Sequence, residues 1–148
     1  MDEEKYNYLL SLGFSPLDID DIEIYNSDIY KVETEKIRET IDFLLSFGFS
    51  KKELVKLITN NYDLITENVR RLKMIEVIYS DKIGLSKEEI KKLLLKNKNA
   101  FSLTITEFNN VVDYVINKGV KRDKLKEVVL NHSSFVNLSL NDIKKMVY

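Results

Sequence analysis

The sequence predicts an all-α chain of stacked helical repeats, and three observations predict it. All four glycines, Gly13, Gly48, Gly84 and Gly119, fall at intervals of 35, 36 and 35 residues, and a fixed period of that length marks a repeat architecture. Their surroundings recur in step. Leu10-Ser11-Leu12-Gly13-Phe14-Ser15 matches Leu45-Ser46-Phe47-Gly48-Phe49-Ser50, with looser copies at Lys82-Ile83-Gly84-Leu85-Ser86 and Asn117-Lys118-Gly119-Val120-Lys121. Apolar residues between the glycines recur at helical spacing, with no sustained strand-like alternation. The expectation is a short curved α-solenoid of right-angle helix-turn-helix units, one helical-repeat domain over residues 1–148 whose end helices act as caps.

Each part of the unit has a physical reason. Glycine just past an apolar-periodic run suits a helix C-terminus that ends in a left-handed residue, so Gly13, Gly48, Gly84 and Gly119 are expected as structural caps. Two residues on, Ser15, Ser50 and Ser86 read as N-caps of the next helix, each with an acid three residues later: Asp18, Glu53 and Glu89. Pro16 stands at a first helical position, where its missing N–H is no loss. The fourth copy places Lys121 where the serine should be.

The second helices carry the stripes Leu54, Leu57, Ile58; Ile90, Leu93, Leu94; and Leu125, Val128, Val129. Each stripe ends near an asparagine (Asn26, Asn60 or Asn61, Asn97, Asn131), and a bulky apolar residue follows. Ile29 or Tyr30, Leu64 or Ile65, Phe101 and Phe135 then sit in a tight or 3₁₀ turn that fills the space between helices. Thr34, Thr66 and Thr104 or Thr106 are expected to cap the longer helices, and Ser139 to open a last one that ends at Tyr148.

Composition excludes several classes. Cysteine is absent, so there are no disulfides. No run of 18 apolar residues could span a membrane. The acidic start Met1-Asp2-Glu3-Glu4-Lys5 resembles neither a secretory signal nor a transit peptide, which gives cytoplasmic as the expected location. His132 is the only histidine and stands in a turn context, so no metal site is expected. There is no Gly-rich phosphate loop, no nucleophile elbow and no singled-out carboxylate pair. The expectation is a protein without enzymatic activity and without a cofactor.

Charge supplies the functional signal. Residues 1–48 hold 4 Lys/Arg against 12 Asp/Glu, and residues 49–148 hold 19 against 12, so the formal charge of −1 divides into −8 and +7. Measured from each glycine, Lys51, Lys87 and Arg122 share one position, and Lys56, Lys91, Lys92 and Lys126 follow seven or eight residues past it. Stacked repeats would align such residues into a ladder able to bind a phosphate backbone. Local pairing with Glu53, Glu88, Glu89 and Glu127 is the competing use of the same lysines. The acidic run Asp18-Ile19-Asp20-Asp21-Ile22-Glu23 lacks the glycine-turned loop of a calcium site and reads as a solvated helix face, or one that meets a basic surface. Two readings follow: a nucleic-acid scaffold acting through repeats two to four, or a protein–protein adaptor or regulatory accessory protein using its concave face or acidic first repeat. Most of the aromatics (Phe14, Phe43, Phe47, Phe49, Phe101, Phe108, Phe135) suit the core, while Tyr25, Tyr30, Tyr62 and Tyr79 are less plainly buried.

The stretch from Phe43 to Leu54, with Phe47-Gly48-Phe49-Ser50 at its centre, and the following Asn61-Tyr62-Asp63-Leu64-Ile65-Thr66 resemble the repeat of the mitochondrial transcription termination factor (mTERF) family. The likeness runs in phase with the glycines over nearly the whole chain. It implies units of two helices and a short 3₁₀ helix in a left-handed solenoid, and nucleic-acid binding along a basic groove. The family's proline ahead of the plug is replaced here by Asp63, Asn99 or Ala100, and Ser134. Carried over by position, the groove residues are Lys51, Lys56, Lys87, Lys91, Lys92, Arg122 and Lys126. Tetratricopeptide-type repeats share the period but need small residues where helices meet, and this chain has one alanine, Ala100.

Overall fold

The computed structural model describes residues 1–147; Tyr148, the expected end of the last helix, lies outside the described residues, as do the side chains of residues 146 and 147. Its α-helices are α1 (Glu3–Ser11), α2 (Pro16–Tyr25), α3 (Thr34–Leu45), α4 (Lys51–Asn60), α5 (Val69–Val77), α6 (Lys87–Lys96), α7 (Ile105–Asn117), α8 (Arg122–Asn131) and α9 (Leu140–Val147). Short 3₁₀ turns follow α2, α4 and α8 at Ser27–Tyr30, Tyr62–Thr66 and Ser133–Asn137. No strand occurs among the described residues. The fold is an all-α helical repeat.

Internal contacts divide the chain into two compact units, Met1–Val69 and Arg70–Tyr148. The first holds 7 Lys/Arg against 15 Asp/Glu and the second 16 against 9, so the packing division separates a net −8 from a net +7.

The punctuation of the repeats is visible residue by residue. Ser15, Ser50 and Ser86 accept from the backbone amides of Asp18, Glu53 and Glu89, whose carboxylates return to the serine amides. Ser139 and Asp142 repeat the arrangement at α9. Lys121 offers no side-chain cap, and α8 starts without one. Two expected threonine caps are corrected. Thr34 is itself the first residue of α3 and buried, the position before it being Glu33. Thr66 belongs to the 3₁₀ turn, where its hydroxyl accepts from Asn26. Thr104 does precede α7, with no side-chain cap bond.

The core follows the predicted stripes except at Val128, which is half-buried. Leu54, Leu57, Ile58, Ile90, Leu93, Leu94, Leu125 and Val129 are buried, and so are the plugs Ile29, Leu64, Ile65, Phe101 and Phe135. All seven phenylalanines are buried. Removing this much apolar area from water is the main favourable term in the fold.

One element departs from the regular unit. After α5 the backbone continues as a π-helical segment, Ile78–Ile83. Thr34, Val69 and Ile105 each lie 21 residues past their glycine, but the next glycine follows after 14, 15 and 14 residues. The 36-residue interval therefore places its extra residue here, where a π turn absorbs it. The hydrogen bonds locate it further. The amide after the glycine reaches back to Leu9 in the first copy and to Val115 in the fourth, five residues away; Leu85 reaches Tyr79, six away. Tyr79 thus fills the core position of Leu9 and Val115, and the added residue lies between it and Gly84. Gly84 closes the turn at φ +86°, and a side chain there would also start 3.2 Å from the Arg122 guanidinium. Deleting half-exposed Ser80 should restore the regular interval. Urea unfolding of that variant is expected to stay cooperative and to lose no more than about 1 kcal/mol.

Candidate nucleic-acid interface

The basic residues that the sequence groups into one ladder have different geometries. Lys51, at the start of α4, donates its ammonium to the Ser11 carbonyl at 3.0 Å. Arg122, at the start of α8, donates to the carbonyls of Asp81 at 2.7 Å and Lys82 at 3.2 Å. All three acceptors lie two or three residues before a glycine, at the C-terminal end of a long helix whose last carbonyls have no intrahelical partner. A cation is favourable at that negative end. These side chains bind one repeat to its predecessor, a use that the charge pattern alone does not separate from phosphate binding. Lys87, the third member, is exposed. Arg122→Ala should cost about 1 kcal/mol in stability through these lost bonds while leaving nucleic-acid affinity within about twofold; denaturant midpoints and binding isotherms read the two effects separately.

The later members divide into two positions. Lys56 and Lys92 lie eight residues past their glycines, Lys91 and Lys126 seven. One residue is about 100° around a helix, so these are two rows on different faces. Lys126 is engaged, 3.0 Å from the Glu89 carboxylate. That carboxylate sits below the usual range, chiefly because it accepts the Ser86 amide, with the Lys126 ammonium adding to the effect. Lys91 is half-buried, while Lys56 and Lys92 are exposed.

Lys92 borders a groove of about 390 Å³ between α6 and α8, lined by Glu89, Leu93, Leu95, Lys96, Leu130 and Asn131. Lys96 stands on the same rim, its ammonium 3.4 Å from the Leu130 carbonyl. It was not among the expected ladder residues. The signal that could have found it is spacing, since Lys92 and Lys96 are one helical turn apart and share a face.

The asparagines have a defined role. Asn26, Asn61 and Asn97 stand thirteen residues past their glycines, and His132 takes that position in the fourth copy. Asn26 donates to the Tyr62 carbonyl and the Thr66 hydroxyl, both at 2.9 Å, and accepts from the Asp28 amide. Asn97 donates to the Ser133 carbonyl at 2.8 Å and accepts from the Asn99 amide. Each joins its own turn to the following repeat. Nearby, Tyr25 and Tyr62 stack with ring centroids 5.2 Å apart. Burial and the neighbouring acids, Asp21 first among them, raise the Tyr62 hydroxyl above its ordinary pKa.

Tyr79, grouped from the sequence with the less plainly buried tyrosines, belongs to the core. It is fully buried, donates to the Ala100 carbonyl at 2.6 Å, and packs edge-on against Phe101. Burial raises its hydroxyl well above the ordinary tyrosine value. Among the described residues, no group of three or more His, Cys, Asp or Glu could hold a metal ion, and no helix is long and apolar enough to cross a membrane.

These features define a class: an all-helical repeat protein whose repeats are joined by polar side chains and whose second unit carries the basic surface. The mTERF family model matches residues 2–148, and the chain belongs to that family, whose helical repeats bind nucleic acid. None of the curated proteins compared with the chain matches it.

Proposed function

We propose that this chain is a non-enzymatic nucleic-acid-binding protein that holds a phosphate backbone through basic surfaces of its second to fourth repeats. The observation that carries the reading is the coincidence of charge with packing, since the second unit holds a net +7 and exposes Lys92 and Lys96 beside a groove. Membership of a family of nucleic-acid-binding repeats supports it. Lys56, Lys92 and Lys96 are the residues assigned to phosphate contact. Lys51 and Arg122 act as repeat fasteners and Lys126 as the partner of Glu89. Contact to phosphate carries no sequence information, so this surface sets affinity and register.

The test is a salt titration of binding to generic duplex DNA and to single-stranded RNA. The logarithm of affinity should fall linearly with the logarithm of salt, by about 0.9 per phosphate on a duplex. Absence of binding to either at low salt overturns the reading.

A further inference from the structure

The solvent face of α2 is unusual for a charged helix. Ile19 and Ile22 point into the core, while Leu17 and Ile24 are each 71% exposed and Tyr25 is 66% exposed. Leu17 and Ile24 are seven residues apart, nearly in line along the helix, with Asp20 and Asp21 on either side of that line. The result is an apolar stripe bracketed by carboxylates, extended by the ring of Tyr62 stacked on Tyr25.

The second unit carries its counterpart at equivalent repeat positions. Eleven residues past their glycines stand Ile24, Leu95 and Leu130. Leu95 is 39% exposed, and both leucines line the groove between α6 and α8. Where α2 places Asp21 and Tyr25, α6 places Lys92 and Lys96. The same helical face therefore occurs twice, once as an apolar stripe with acids and once as an apolar groove with lysines. From this we infer that the chain self-associates, the α2 face of one copy seating on the α6–α8 groove of a second copy.

Two physical terms favour that occupant. Leu17, Ile24 and Tyr25 leave water against Leu95 and Leu130, and the surrounding charges are of opposite sign, which steers the encounter and fixes its register. A head-to-tail contact of this kind also leaves a free α2 face and a free groove at its two ends, so it can extend or close into a ring. The inference stands apart from nucleic-acid binding, although both use Lys92 and Lys96, and a bound phosphate backbone would compete with the second copy.

Sedimentation velocity without nucleic acid tests it. At about 50 mM salt the chain should sediment faster than a monomer, and at about 500 mM its association should weaken by roughly tenfold or more. Asp20→Lys with Asp21→Lys should be monomeric at low salt, and so should Lys92→Glu with Lys96→Glu. Mixing the two variants should restore association, because each then presents the charge the other lacks. These are surface positions, and circular dichroism checks that both variants remain helical. A wild-type chain that stays monomeric at low salt overturns the inference, as does a mixture that stays monomeric. A monomeric chain that instead binds a synthetic Lys/Leu amphipathic peptide also overturns it and assigns the α2 face to a different protein. The Asp20/Asp21 variant separates the two functions: it should lose association and keep nucleic-acid binding.

Discussion

Replacing Lys92 and Lys96 by glutamate should weaken nucleic-acid binding at least tenfold at low salt and lower the salt slope by about two. The expectation follows from what else the basic residues are doing. An ammonium that already satisfies a helix-terminal carbonyl, as at Lys51, or a carboxylate, as at Lys126, gives up a protein partner before it can take a phosphate. Lys92 and Lys96 share one turn of α6 on the rim of an open groove, and the bond that Lys96 gives up, to the Leu130 carbonyl, is exposed and long at 3.4 Å, so two neighbouring phosphates can be met at small cost. Fluorescence anisotropy across a salt series measures both quantities. An unchanged slope with weakened affinity would mean that the pair acts at a distance and that the backbone follows another path.

Tyr79→Ala should cost about 4 kcal/mol of stability, the largest loss from any single side chain considered. The ring fills the site that aliphatic residues occupy in the first and fourth copies, and it touches both Phe101 and Phe108. Its truncation leaves a cavity and strips the Ala100 carbonyl of its donor. Tyr79→Phe isolates the second effect and should cost about 1 kcal/mol. Urea denaturation of the two variants measures the difference. If both lose equally little, the segment around the π turn adjusts freely and Tyr79 is not a fixed part of the core.

The glycine period, the serine caps and the apolar stripes are local matters, set within one turn of helix by capping chemistry and periodicity. They are legible in the sequence for that reason. The interval of 36 residues is visible in the sequence, but the π turn that absorbs it is not, and only the bond from the Leu85 amide to Tyr79, six residues back, shows which side of Tyr79 holds the extra residue. The basic site was less legible. Pooling residues seven and eight past the glycine ignores the angle between adjacent helical positions. Nor does charge alone reveal that Lys51 and Arg122 reach carbonyls some 40 residues away in sequence. The sequence offers Asn131 as the asparagine of the fourth copy, whereas the position thirteen past Gly119 is His132, a register that only the bonds made by Asn26 and Asn97 reveal.

Those bonds run in opposite senses. Within the first unit, Asn26 reaches forward to Tyr62 and Thr66 while Lys51 reaches back to Ser11. Within the second, Asn97 reaches forward to Ser133 while Arg122 reaches back to Asp81 and Lys82. A seam latched from both sides cannot open by one repeat peeling away while its neighbour stays satisfied, because parting leaves polar groups stranded on each. Chains of repeats usually fray from their ends. Here native-state hydrogen exchange should show the amides of each unit becoming exposed together, as a block that opens or stays shut.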